Sequence, residues 1–190
     1  MNRKNFLLFF LLFLGLFSAQ NEKKLYAKGN AMLMPIAVVN LGLEYQLGEQ
    51  YTIQADGFIS PWKSFAGNHA QIYMAHLEGR YYFNKAFNKW YVGVNSGFGV
   101  YDITKWNYIG TEKFQRGYTL MFGAAVGYQW QWKERWNIDV FLRGGTSQGF
   151  YHGYENVPPN WVRYDGAEGW NRSGEWLPYG GGIMIAYKLN

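Results

Sequence analysis

His69, His76 and His152 are the three imidazoles of a 190-residue chain that contains no cysteine. An imidazole can serve as a general base, but hydrolysis of that kind needs a serine in reach and an acid to orient the ring. None of the three has a serine two residues away, the spacing associated with lipid A deacylases. His69 falls in a loop before the fourth expected strand, His76 on the inward register of that strand, and His152 in the last long loop, so each reads as a loop or lumen histidine. No cluster of histidines and carboxylates has zinc or iron spacing, and without cysteine there is no disulfide, thiolate site or sulfur nucleophile. Gly93, Gly97 and Gly99 resemble a nucleotide loop superficially. They stand in an alternating strand with no helix after it, so the phosphate-binding geometry is missing, and small residues there make room for large side chains from neighbouring strands. The expectation is a chain with no catalytic residue, no metal and no cofactor.

The charges are more informative. Glu44, Asp56, Glu78, Arg80, Asp139 and Arg143 all fall on one register of alternating segments. Unpaired charge in a low-dielectric interior is costly, so this register predicts a paired, hydrogen-bonded network inside the protein, with a proton or ion path as the alternative.

The elements that must position those charges are strands. In VVNLGLEYQLGEQYTIQADGFISPW (residues 38–62), Val39, Leu41, Leu43, Tyr45 and Leu47 alternate with Asn40, Gly42, Glu44, Gln46 and Gly48. Similar period-two segments cover about 24–34, 51–61, 70–84, 90–101, 116–132, 136–147 and 175–189, and no window has a helical repeat. Short turns near 48–50, 84–89 and 133–135 alternate with longer links at 62–69, 102–115 and 148–174, the last rich in Gly, Pro, Asn and Trp and without periodicity. This predicts an all-β fold, an eight-stranded antiparallel up-and-down transmembrane β-barrel with both termini at the short-turn end.

Alternation alone does not say which face meets water. The apolar register continues through Ile53, Ile59, Val92, Val94, Phe98, Val100, Leu120, Phe122 and Val126, whereas the other holds Gln54, Asp56, Asn95, Gln129 and Gln131 among glycines. A solvated exterior would carry lysine and glutamate; a short, amide-rich face suits a packed lumen. Aromatic residues form 21% of the chain, enough to supply two rings of interfacial side chains: Tyr51, Trp90, Trp132 and Trp136 beside the short turns, and Trp62, Trp106 and Trp176 near the long links.

At the N-terminus, Arg3 and Lys4 precede an apolar run from Phe6 to Phe17 and small residues at Ser18 and Ala19, the pattern of a secretory signal peptide over residues 1–19, with the barrel domain at 20–190. The run is shorter than the ~20 residues of a spanning helix. Loss of Arg3 and Lys4 lowers the net charge from +5 to +3, dispersed along the chain, which argues against nucleic acid as a partner.

The segment NLGLEYQLGEQYTIQADGFISPW, preceded by Pro35 and followed by Glu78-Gly79-Arg80-Tyr81-Tyr82-Phe83, resembles a Bacteroidota family of small outer-membrane β-barrels catalogued as a domain of unknown function. The resemblance implies a fold and a place in the outer membrane of a Gram-negative bacterium, and carries no catalytic residue. The final YGGGIMIAYKLN resembles the terminal strand read by the barrel-assembly machinery, although it ends on Leu189-Asn190 and not on an aromatic ring. Together these readings predict a non-enzymatic integral outer-membrane protein with an envelope structural or surface-interaction role through its external loops. Its expected partners are outer-membrane lipids, the assembly machinery during biogenesis and a surface partner of unknown kind. The alternatives are a lipid-modifying outer-membrane enzyme, a narrow pore, and a secreted soluble ligand-binding barrel.

Overall fold

A computed structural model describes residues 23–166 and 168–190; the leader expected at 1–19 lies outside the described residues. Period-two patterning becomes nine strands: β1 Leu25–Asn30, β2 Val39–Gln46, β3 Tyr51–Phe65, β4 Asn68–Tyr82, β5 Lys89–Ile103, β6 Lys113–Lys133, β7 Trp136–Val157, β8 Asn160–Arg163 and β9 Asn171–Lys188. Every pairing is antiparallel. β1 to β7 neighbour one another in sequence order, and β9 fits between β7 and β1, so that eight strands close into a ring. Closure leaves the ring no unpaired edge. β8 stands outside it as a short strand paired to the far end of β7.

The start of β1 and the end of β9 lie at one end of the ring, called lower here, with the links 47–50, 83–88 and 134–135. The links 31–38, 66–67, 104–112 and 158–170 lie at the upper end. Three expectations about the links are corrected. The long link placed at 62–69 is a two-residue turn, because Ala66 and Gly67 both adopt positive φ (48° and 82°), the twist that suits a tight hairpin. Residues 148–174 are not an irregular loop: β7 runs on to Val157, folds back as β8, and β9 begins at Asn171. The first strand stops at Asn30, where a link containing a 3-10 turn at Met34–Ile36 takes over. Much of the upper end is therefore built from strand arms rather than loops.

The two faces differ as alternation requires. Leu41, Leu43, Leu77, Val94, Phe98, Phe122, Val126 and Leu142 point outward and are exposed, while Glu44, Gln54, Glu78, Gln129 and Asp139 between them are fully buried. The inward glycines supply room. A Cβ on Gly127 would sit 2.4 Å from the Tyr91 ring, and one on Gly97 would sit 2.6 Å from the His76 ring. Gly93 and Gly99 face Glu78 and Met74 in the same way.

Candidate functional site

The lower lumen brings all six expected charges together. Arg80 on β4 is the hub: Nε donates to Glu78 Oε1 at 2.6 Å, and Nη1 lies 3.1 Å from Glu44 Oε2 and 2.9 Å from Asp139 Oδ2. Its guanidinium also lies over the Tyr91 ring, 4.4 Å from the centroid. Lys28 on β1 donates to Glu44 at 2.7 Å, to Asp139 at 2.5 Å and to Gln54 Oε1 at 3.0 Å. Nearer the middle, Arg143 Nη2 donates to Asp56 Oδ1 at 2.9 Å, while its Nε lies 3.4 Å from Glu78 Oε2. Neutral donors complete the set: Thr52 and Tyr82 reach Glu44, and the Tyr91 hydroxyl donates to Asp139 at 2.9 Å.

Three basic side chains thus face four acidic ones, with His76 Nδ1 3.4 Å from Asp56 Oδ2 as a further contact. Charges buried to this degree are tolerated when each is paired and hydrogen-bonded. The bonds run between β1, β2, β3, β4, β5 and β7, so the network ties strands on different parts of the ring across the lumen.

Sequence reasoning placed Gln54 and Gln129 on the lumen face, where they bond to Lys28 and Tyr82, and missed Lys28, Tyr82 and Tyr91. Lys28 was legible, since Tyr26, Lys28 and Asn30 alternate and all three are buried. The tyrosines were not, because the residue type serves equally at a lipid interface.

Higher in the ring the filling changes. A cavity of about 250 Å³ lies among Ile72, Met74, Met121, Leu177 and Tyr179. Two hydroxyls face it, Thr119 and Ser147, 2.7 Å apart, and at its mouth Lys105 pairs with Glu175 at 2.9 Å.

Each histidine lies beside an aspartate. His69 Nδ1 is 2.6 Å from Asp102, which also receives a two-pronged contact from Arg116, and the His69 ring stacks on Phe114 at 4.0 Å. His152 Nδ1 is 3.3 Å from Asp165. Among the described residues no hydrogen bond joins a histidine ring to a serine hydroxyl, and no group of three or more His, Asp or Glu is arranged to hold a metal ion.

Tyr51, Trp90, Trp132 and Trp136 are exposed at the lower end. Trp62, expected among the outer aromatics, stands instead on the inward register of β3 with Gln54, Asp56 and Ser60 and donates its indole N–H to Ile36 O at 2.8 Å, whereas Trp106 and Trp176 are exposed by 85% and 84%. Trp106 stands in the 3-10 turn Trp106–Tyr108 of the upper link, not on a strand.

A family model described as a protein of unknown function (DUF3575) matches residues 7–168. No curated protein and no solved structure matches the chain.

Proposed function

The chain belongs to the DUF3575 family of proteins of unknown function, and from that premise we propose that it is a non-enzymatic integral outer-membrane β-barrel. In this reading the ring is an anchor in lipid, and the upper arms and links serve an envelope structural or surface-interaction role. The observation that carries the reading is the inversion of the two faces. Large apolar side chains cover the outside while the buried interior holds Lys28, Glu44, Glu78, Arg80, Asp139 and Arg143. A water-soluble barrel buries the opposite set.

Aromatic spacing supports the same reading. On β9, Tyr187, the partner of Trp136, lies eleven positions beyond Trp176, and the extra residue at Tyr179 in the β7–β9 pairing keeps both on the outer face. At ~3.3 Å per residue and a strand tilt of about 40°, that is roughly 25–28 Å along the ring axis. Outer-membrane barrels carry an apolar band about 25 Å tall between two aromatic girdles. The narrow-pore alternative gains no support from the lumen, whose lower half is filled by the ionic network. The lipid-modifying alternative gains none from the histidines, because among the described residues each has an aspartate beside it but none has a serine hydroxyl bonded to its ring.

The test is electrophoresis of the protein from a membrane fraction, boiled and unboiled in detergent. A faster unboiled band is expected, because a closed ring resists detergent until heated. Solubility without detergent together with no difference between the two samples would overturn the proposal.

A further inference from the structure

The upper lumen is built unlike the lower. Its cavity of about 250 Å³ is walled by Ile72, Met74, Ile103, Met121 and Leu177, with Tyr179 toward its base. Below, Met74 and Tyr179 also line a gap of about 30 Å³ that reaches Asp56, His76 and Arg143. The cavity is therefore floored by the ionic network and reaches the rim at Lys105 and Glu175. The mouth of a β-barrel is a frequent position for a small-molecule site, and an eight-stranded ring has space for one small ligand. At about 30 Å³ per water-sized group, the volume corresponds to roughly eight such groups.

The rim specifies the head of that ligand. Lys105 is the cation on the cavity lining, and its partner Glu175 has a side chain that is 49% exposed. An ion pair so open to water contributes little, so another carboxylate can replace Glu175 at small cost. We propose that the upper lumen binds a small amphipathic carboxylate of about eight carbons. Its apolar tail lies between Met74, Met121 and Leu177, and its carboxylate takes the place of Glu175 on Lys105. This inference goes beyond the anchoring role, since it depends on what fills the ring and not on what surrounds it.

The methionines provide the readout. Met74 and Met121 line the cavity, while Met184 is fully buried in the lower lumen and serves as an internal control. The mature protein, labelled with carbon-13 at the methionine methyls and held in amphipol, is titrated with sodium octanoate and followed by NMR. The Met74 and Met121 signals are expected to shift and saturate while Met184 stays fixed. Thr119→Phe fills the cavity and is expected to abolish the shifts; Ser147→Phe does the same from the adjoining strand should the first variant fail to fold. Lys105→Gln is expected to weaken binding roughly fivefold, and Glu175→Gln to tighten it by up to about the same factor. Unmoved Met74 and Met121, or shifts that persist in folded Thr119→Phe or Ser147→Phe, would overturn the site. Equal binding of octanol and octanoate, with no effect of Lys105→Gln, would overturn the assignment of an anionic head.

Discussion

The lower and upper parts of the lumen lie inside one ring, yet they are filled by opposite chemistry. Below, Lys28, Arg80 and Arg143 are interlocked with four carboxylates, and fully buried Tyr82, Tyr91 and Gln129 pack around them. Above, Thr119, Ser147, Met74 and Met121 leave about 250 Å³ between them. A ring of this width can be plugged or hollow, and the side chains at a few inward positions decide which. The difference teaches that the ring is held shut at one end and left free to accept a guest at the other.

The sharpest break of that contrast is Arg80→Met. It removes the cation shared by Glu44, Glu78 and Asp139 and leaves carboxylates buried without their partner. Removing one member of a buried ion pair costs about 3–5 kcal/mol. A large fall in the urea midpoint is expected, measured from lipid or amphipol. In the upper half, Thr119→Val loses one hydroxyl bond to Ser147, and the expected change is about 1 kcal/mol or less. Equal losses in the two variants would mean that the network does not hold the ring together.

A smaller effect tests shape rather than charge. Gly127 leaves the space into which the Tyr91 ring fits, and Tyr91 in turn donates to Asp139 and lies under Arg80. Gly127→Leu forces the ring aside, with an expected cost of about 1–3 kcal/mol from overpacking. The same substitution at Gly79, where an added Cβ meets nothing within 4 Å, is the matched control and should cost less.

The strands and the charge register were legible because both rest on alternation, which the sequence displays from Val39 to Leu47 and again from Tyr51 to Asp56. Glu44, Asp56, Glu78, Arg80, Asp139 and Arg143 could be placed inward for that reason. The upper arms were not legible. β7 keeps its phase against β6, but its outward positions change from Val140 and Leu142 to Gly144, Thr146 and Gln148, so the apolar alternation that marks a strand fades just where β7 enters its upper half. Glycines and aromatics then blur the pattern through Tyr154. The Ala66-Gly67 turn was hidden by Pro61-Trp62, which reads as a strand terminus although Pro61 pairs with Gln71 inside β3 and β4. The cavity could not be read at all, because it arises from five strands whose inward residues are small or flexible, and no sequence period records an empty space.

The smallest expected effect concerns the arms themselves. Asp165, in the link between β8 and β9, accepts hydrogen bonds from the Gly153 N–H at 3.0 Å, from Arg163 Nε at 3.0 Å and from Asn171 Nδ2 at 2.7 Å. Desolvation opposes its charge, but the Gly153 amide, Arg163 and His152 outweigh it and hold the carboxyl below the usual carboxylate range. A depressed folded-state pKa means that the link gains stability above the unfolded value, near pH 4, and loses it as pH falls through the folded value. Acidification from pH 5 toward pH 3 should therefore release the link while the ring stays closed. Trp170 reports on this, since its ring stacks on His152 at 4.3 Å and meets Tyr118 edge-on. Hydrogen exchange at the Gly153 amide and the Trp170 indole should accelerate over that interval, and Asp165→Asn should show faster exchange already at pH 5 with less further change on acidification. If exchange is instead flat across the interval in the wild-type protein, the arm is held by its β7–β8 backbone ladder and ring stacking, and the carboxylate is not what fastens it.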